Sequence, residues 1–278
     1  MSGAENVESW SGKDRADENF PVASALIRPA LRRHVHAFYA FARNADDIAD
    51  SPALEPAEKI RRLDVMEAVL TGARAGGSPS ALALRASIAE TGVSATHACE
   101  LLIAFRRDAT KRRYQDFAEL MEYCRYSAMP VGRHVLDLHG EGPATHPPSD
   151  ALCSALQILN HLQDCAGDLA ALDRCYLPLD RLAAAGATIE DLRRPALTPG
   201  LRRVIDGLLA QTAALNARAA DLPRRTRARG LRLETAVILG LSRRLARRLA
   251  VEDPLAARVK LRRSDIAGAL LASLRFLP

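Results

Sequence analysis

Residues 149–171 read SDALCSALQILNHLQDCAGDLAA. Leu152, Leu156, Leu159, Leu162 and Leu169 recur at helical spacing, which predicts a long α-helix with a core-facing side. On that helix Asn160, Asp164 and Asp168 stand at i, i+4 and i+8. They drift only about 80° around the axis and line up as one polar stripe. Such a stripe on a core-like helix is costly unless its groups are satisfied.

A second acidic ridge lies upstream, in Arg43-Asn44-Ala45-Asp46-Asp47-Ile48-Ala49-Asp50. Asp46 and Asp50 are four apart, about 400° of rotation, so both carboxylates project from one face a turn apart. Like charges at that spacing destabilise a helix, and the helix dipole opposes acids near a C-terminus. Val35, Phe38, Ala42, Ala45 and Ala49 mark the same helix as largely buried. Taken alone, the pair is more often a solvated acidic helix end or a partner for arginines. Two such ridges facing each other across a helical bundle make an oxygen-rich cage. Oxygen donors favour Mg2+, which completes its shell with water and phosphate oxygens. The natural substrate of that cage is a diphosphate, with the metal as Lewis acid on the leaving group.

The rest of the chain continues the helical pattern, with helices expected over about 32–49, 56–71, 79–91, 94–108, 115–139, 199–219, 229–250 and 263–275. Ala, Leu and Arg dominate, and β-branched and aromatic residues never alternate in runs, so strands are not expected. Thr71–Ser80, Gly140–Asp150 and Arg194–Gly200 are rich in breakers and short enough to be loops inside one domain. With 278 residues, 48% hydrophobic and 26% charged, the chain can bury a sizeable core. The expected architecture is all-α. Residues 14–278 are expected to form one large helical domain with a central cavity, and residues 1–13 a flexible tail.

Several function classes lose support at this point. No apolar run approaches the roughly 18–20 residues that span a bilayer, and the first 20 residues carry no apolar leader segment. The cysteines (Cys99, Cys124, Cys153, Cys165, Cys175) are odd in number and form no C-x-x-C pair. They read as reduced cytoplasmic thiols rather than a disulfide framework or zinc site. No G-x-S-x-G supports a hydrolase and no G-x-G-x-x-G a Rossmann site. Net charge is +6, and of 39 basic residues only four are lysine. Nine arginines crowd residues 221–250, a stretch suited to nucleic acid, anionic lipid or a diphosphate, and equally to a solvated helix face. Without a helix-turn-helix, finger spacing or interleaved aromatics, nucleic acid is not an expected partner.

In order and spacing these elements resemble the squalene/phytoene synthase family, the head-to-head prenyl transferases. Phe38-Tyr39-Ala40-Phe41-Ala42-Arg43 leading into Asp46-x-x-x-Asp50 is similar to its first Asp-rich motif. Tyr123-Cys124-Arg125-Tyr126-Ser127-Ala128-Met129-Pro130-Val131-Gly132 is similar to its central tyrosine segment. Leu156-Gln157-Ile158-Leu159-Asn160 through Asp164 and Asp168 is similar to its second Asp-rich motif, and Arg174-Cys175-Tyr176-Leu177-Pro178 to the ending after it. The resemblance implies an isoprenoid synthase fold acting on a prenyl diphosphate with two or three Mg2+ ions. It implies metal ligation by Asp46, Asp50, Asn160, Asp164 and Asp168, and substrate and diphosphate binding by Arg43, Phe38 and Arg258. It also implies a reaction cavity in which Tyr39, Tyr126 and Gln157 are catalytic.

Gln163 stands where the family commonly has Arg, Gly167 where it has an acid, and Met129-Pro130 where small residues are usual. Together with Glu18–Ser24 (ENFPVAS), these departures look like the family's bacterial hopanoid-pathway branch. That branch implies conversion of presqualene diphosphate and water to hydroxysqualene and diphosphate, with no nicotinamide cofactor. The cyclopropylcarbinyl cation would rearrange before water captures it. The alternative within the fold is head-to-head condensation of two prenyl diphosphates to presqualene diphosphate, squalene or phytoene. A C30 alcohol is nearly insoluble, which suggests peripheral contact with the inner membrane face for product release. Leu239, Leu241, Leu245 and Leu249 beside Arg243, Arg244, Arg247 and Arg248 could form that face. The favoured reading of the same helix is an ordinary amphipathic one whose leucines face the core.

Overall fold

The computed structural model describes residues 6–8 and 26–277. In chain order its α-helices are α1 (Pro29–Asp50), α2 (Pro56–Thr71), α3 (Pro79–Thr91), α4 (Thr96–Asp108), α5 (Phe117–Ser127), α6 (Met129–Leu138), α7 (His146–Leu172), α8 (Leu179–Ala184), α9 (Pro199–Arg218), α10 (Leu222–Arg225), α11 (Arg229–Val251) and α12 (Arg263–Ser273). Proline opens four of them, at the position where its missing N–H costs nothing and its fixed φ is already helical. Among the described residues the β-pairing is confined to one isolated bridge, Arg113 with Cys175. The all-α expectation therefore holds.

Two boundaries differ from the sequence reading, both at proline. The helix expected over 115–139 is two helices, α5 and α6, separated at Ala128 (φ −124°, ψ −48°). Inside a continuous helix Pro130 would leave one hydrogen bond unmade and press its ring on the Tyr126 carbonyl. As the second residue of a new helix, in its first turn, it is tolerated. The long helix starts at His146, inside the segment expected to be loop, because Pro147 and Pro148 fall in its first turn.

Two apolar clusters carry the packing. Phe41, Ile48, Leu63, Met66, Leu84 and Leu102 interlock α1–α4. Ile158, Leu159 and Leu162 of α7 pack with Leu201, Ile205 and Leu208 of α9 and Leu239, Leu245 and Leu249 of α11. Each such side chain contributes about 1.5–3 kcal/mol on burial. Leu239, Leu241, Leu245 and Leu249 are all buried, so α11 is the core-facing amphipathic helix and its leucines present no docking face. Its arginines mostly turn back onto the protein. Arg248 pairs with Glu252 (2.7 Å) and Asp265 (2.6 Å), and Arg243 donates to the Asn216 carbonyl (3.1 Å).

Of the expected N-terminal tail, residues 1–5 and 9–13 lie outside the described residues, as does Glu18–Ser24. In the part described, Val7 is buried and its N–H donates to the Gly77 carbonyl (2.9 Å). The Glu8 carboxylate accepts from Ser78 and Ser80 at the start of α3. Among the described residues no helix is long and apolar enough to cross a membrane.

Candidate active site

A polar cleft of about 330 Å³ opens where the two cores meet. From α1 come Tyr39, Arg43, Asp46 and Asp50, and from α7 Gln157, Asn160, Asp164 and Asp168. The two acidic ridges read from the sequence thus share one cavity. An α-helix presents i, i+3 and i+4 residues on one side, and the opposite sides of α1 and α7 bury Phe41 and Ile48, and Leu159 and Leu162.

Arginines from three separate segments clasp the carboxylates. Arg43 lies 3.2 Å from Asp46 and 2.6 Å from the buried Asp47. Arg174, itself buried, donates to Asp50 Oδ1 (2.5 Å) and to the carbonyls of Ala49 (3.1 Å) and Asp108 (2.8 Å). Arg258 forms a two-pronged pair with Asp164, at 2.6 and 2.9 Å. His161 Nδ1 sits 3.9 Å from Asp168 while its Nε2 meets the Gln157 amide at 3.1 Å. The His161 ring stacks on Tyr176 with centroids 3.5 Å apart. Desolvation, and then the like charge of Asp50, push the Asp46 carboxyl up to about 8. Burial pushes Asp108 up to about 7, even though Tyr123 donates to its Oδ2 (2.8 Å).

The donor set fits a hard divalent cation: four carboxylates and one amide, offering oxygen ligands from two rigid helices. A further carboxylate oxygen, Asp108 Oδ1, is buried at the cleft without a hydrogen-bond partner. Among the described residues no three acidic, His or Cys side chains already converge at ligating distance. Asp46, Asp50 and Asp164 each turn to an arginine instead.

Beside the cleft lies an apolar chamber of about 360 Å³, walled by α1, α6, α7 and α11. The two cavities share Tyr39 and Ala42. Phe38 lines the chamber, not the acidic cleft, and stacks on His134 with centroids 3.9 Å apart. Tyr126 lines neither cavity; its ring lies under the Arg107 guanidinium, 4.8 Å from its centroid. Arg258 reaches the cleft through Asp164 and does not line it. Gln163 is likewise off the cleft, buried and donating to the Val259 carbonyl (2.6 Å). The cleft also contains residues the sequence reading gave no role, Asp108, Arg174 and Tyr176. Asp108 had a signal: it follows Leu101, Leu102 and Phe105 on the buried side of α4.

A family model described as squalene/phytoene synthase matches residues 13–265. The hydroxysqualene synthase of Rhodopseudomonas palustris is 49% identical over 255 residues, covering 92% of this chain and 87% of its own. That of Sinorhizobium fredii is 44% identical over 245 residues, covering 88% and 84%. The crystal structure of squalene synthase HpnC from Alicyclobacillus acidocaldarius superposes with a TM-score of 0.70 at 37% identity, covering 84% of this chain and 91% of that one.

Proposed function

The chain belongs to the squalene/phytoene synthase family, and from that premise we propose that it converts presqualene diphosphate and water to hydroxysqualene and diphosphate. One observation carries the reading: an acid- and arginine-lined cleft joins a hydrocarbon chamber at Tyr39 and Ala42. A molecule with its charged head in the first has its prenyl chains in the second. The curated relatives at 49% and 44% identity bear the name of this activity.

Mg2+ held by Asp46, Asp50, Asn160, Asp164 and Asp168 would supply Lewis-acid stabilisation of the departing diphosphate. The chain's own cations do the rest of that work. Arg43, Arg174 and Arg258 present planar, permanently charged forks that match phosphate oxygens. They stand on the acidic ligands at the cleft, and binding of metal and diphosphate would free them for the anion. Tyr39 stands at the junction of the two cavities, a position suited to stabilising the carbon that loses diphosphate through its ring. Gln157 and His161 form a polar pair on the cleft wall, suited to orienting the leaving group. The reaction exchanges one carbon–oxygen bond for another, so it calls for no hydride donor.

Product release draws on a second surface. Ile266, Leu270, Leu271, Leu274 and Leu277 are exposed along α12 and the turn after it, Leu271 by 71%. Arg262, Arg263 and Arg275 flank them, also exposed. An apolar face with a basic rim suits peripheral docking on an anionic bilayer.

The test is incubation of the protein with Mg2+ and presqualene diphosphate, with the lipid product identified and diphosphate measured. Hydroxysqualene and diphosphate in equal amounts are expected. Conversion of farnesyl diphosphate to squalene or phytoene by the chain alone would overturn the assignment in favour of the condensing members of the family.

A further inference from the structure

The hydrocarbon chamber has one feature that packing does not require. Glu234, on α11, lines it although the residue is only 4% exposed. The other polar side chains of the wall are Tyr39, Ser149, Cys153 and Thr235. A carboxylate brought into an apolar cavity is expensive, and a leucine there would complete the wall at no such cost. Glu234 also has a polar or electrostatic interaction within the protein. No residue of α11 lines the acidic cleft, so this carboxylate belongs to the chamber alone.

We propose that Glu234 is the catalytic base of the hydration step, holding the attacking water and taking its proton. The inference rests on the reaction assigned above. In that reaction the ester carbon–oxygen bond breaks and diphosphate leaves with the electron pair. The resulting cation rearranges inside the chamber. A lone pair of water then forms the new carbon–oxygen bond, and the surplus proton passes from the oxonium to the Glu234 carboxylate and on to solvent. Ester and water thus become alcohol, diphosphate and a proton, with no change of oxidation state.

The neighbouring polar groups do not serve as that base. The Thr235 hydroxyl already donates to the Arg232 carbonyl (2.9 Å), and hydroxyls are weakly basic. Burial pushes the Cys153 thiol up to about 11, which keeps it neutral. A carboxylate also attracts the cation before capture, most strongly where water is excluded. Its position away from the cleft would direct water to the carbon that reaches α11 and keep it from the carbon that lost diphosphate.

The experiment compares wild type, Glu234→Gln and Glu234→Ala on presqualene diphosphate, measuring diphosphate released and the distribution of lipid products. Glu234→Gln keeps size and polarity but accepts no proton. Whatever fall its diphosphate release shows, the capture step should slow further, by about a hundredfold relative to the competing losses of the cation. Hydroxysqualene then becomes a minor product beside alkenes from proton loss and unrearranged cyclopropyl alcohols. Formate added to Glu234→Ala should restore part of the hydroxysqualene share. The share is a ratio among products, so it is read from whatever fraction of a variant folds. A wild-type share in Glu234→Gln overturns the proposal and leaves the departing diphosphate as the base. Wild type that makes no hydroxysqualene overturns the functional assignment itself, and the role of Glu234 with it.

Discussion

Arg258 grips Asp164 through two parallel hydrogen bonds, Nε to Oδ1 at 2.6 Å and Nη2 to Oδ2 at 2.9 Å, across 94 positions of sequence. The adjacent pair is neutral and buried: Gln163 donates to the Val259 carbonyl. Two neighbours on α7 thus hold two neighbours on the segment between α11 and α12. Binding of Mg2+ and diphosphate would claim Asp164 and free Arg258 for the anion, while the Gln163 contact stays made. Arg43 and Arg174 stand in the same relation to Asp46 and Asp50.

Arg258→Ala separates stability from binding. Both side chains of the pair are well exposed, at 42% and 34%, and such pairs contribute about 0–1 kcal/mol. The thermal midpoint should therefore move by no more than a few degrees. A charge-assisted bond to diphosphate is worth about 1.5–3 kcal/mol, so KM should rise roughly 10- to 100-fold. A large fall in midpoint with unchanged KM would assign Arg258 to the fold instead.

Replacing a proposed metal ligand should do the reverse of what replacing a core residue does. In Asp46→Asn a neutral amide replaces a carboxyl whose ionised form is already disfavoured by burial and by Asp50. The metal-free variant is expected to be at least as stable as wild type, with an unchanged helical circular dichroism signal. Turnover should fall by about a hundredfold or more. Mg2+ with inorganic diphosphate should raise the wild-type midpoint, by linkage worth about 2.7 kcal/mol at a hundred times Kd, and raise that of Asp46→Asn much less. Equal shifts in the two proteins would remove Asp46 from the metal site.

Much of this arrangement is legible in the sequence. Leucine spacing on 149–171 fixes which side of α7 is buried, and the same arithmetic places Asn160, Asp164 and Asp168 together on the other. The resemblance to the family joins that ridge to Asp46 and Asp50. Periodicity does not reveal which distant side chain answers a charge. Arg174 reaches Asp50 across 124 residues, and only the packing of the two cores brings them together. Asp108 and Tyr176 enter the cleft for the same reason. Glu234 was hidden differently: in a stretch with nine arginines an acid reads as local charge balance, whereas the helix turns it into the chamber. Pro130 marks the break between α5 and α6 even though the helical pattern on either side is strong.

The apolar face of α12 predicts binding to anionic bilayers. Leu271→Glu with Leu274→Glu adds two negative charges to exposed positions and should leave the fold intact. Wild type should sediment with vesicles containing phosphatidylglycerol and less so as salt rises, and the double variant should stay in the supernatant. Equal sedimentation of the two proteins would move the contact elsewhere. Activity on detergent-dispersed substrate is expected to be the same for both.

His134, packed behind Phe38 of the chamber wall, makes the fold sensitive to acid. Its ring is buried against Phe38, and neither ring nitrogen has a hydrogen-bond partner. Burial, and then the nearby His97, depress its pKa to about 3; Asp137 and His34 are the other ionisable groups acting on it, the first opposing the shift and the second adding to it. The unfolded chain holds this imidazole near about 6.5. Between those two values the unfolded state binds the proton and the folded state does not, so stability rises with pH and is lost as pH falls from about 6.5 toward 3. The loss attributable to this one group is about 2 kcal/mol at pH 5. In His134→Phe the ring remains on Phe38, two unsatisfied polar atoms disappear, and the titration is gone. Urea unfolding at pH 7 and pH 5 should therefore show a gap between the two pH values that is smaller in His134→Phe by about that amount. An unchanged gap would place the acid sensitivity of the fold on other groups.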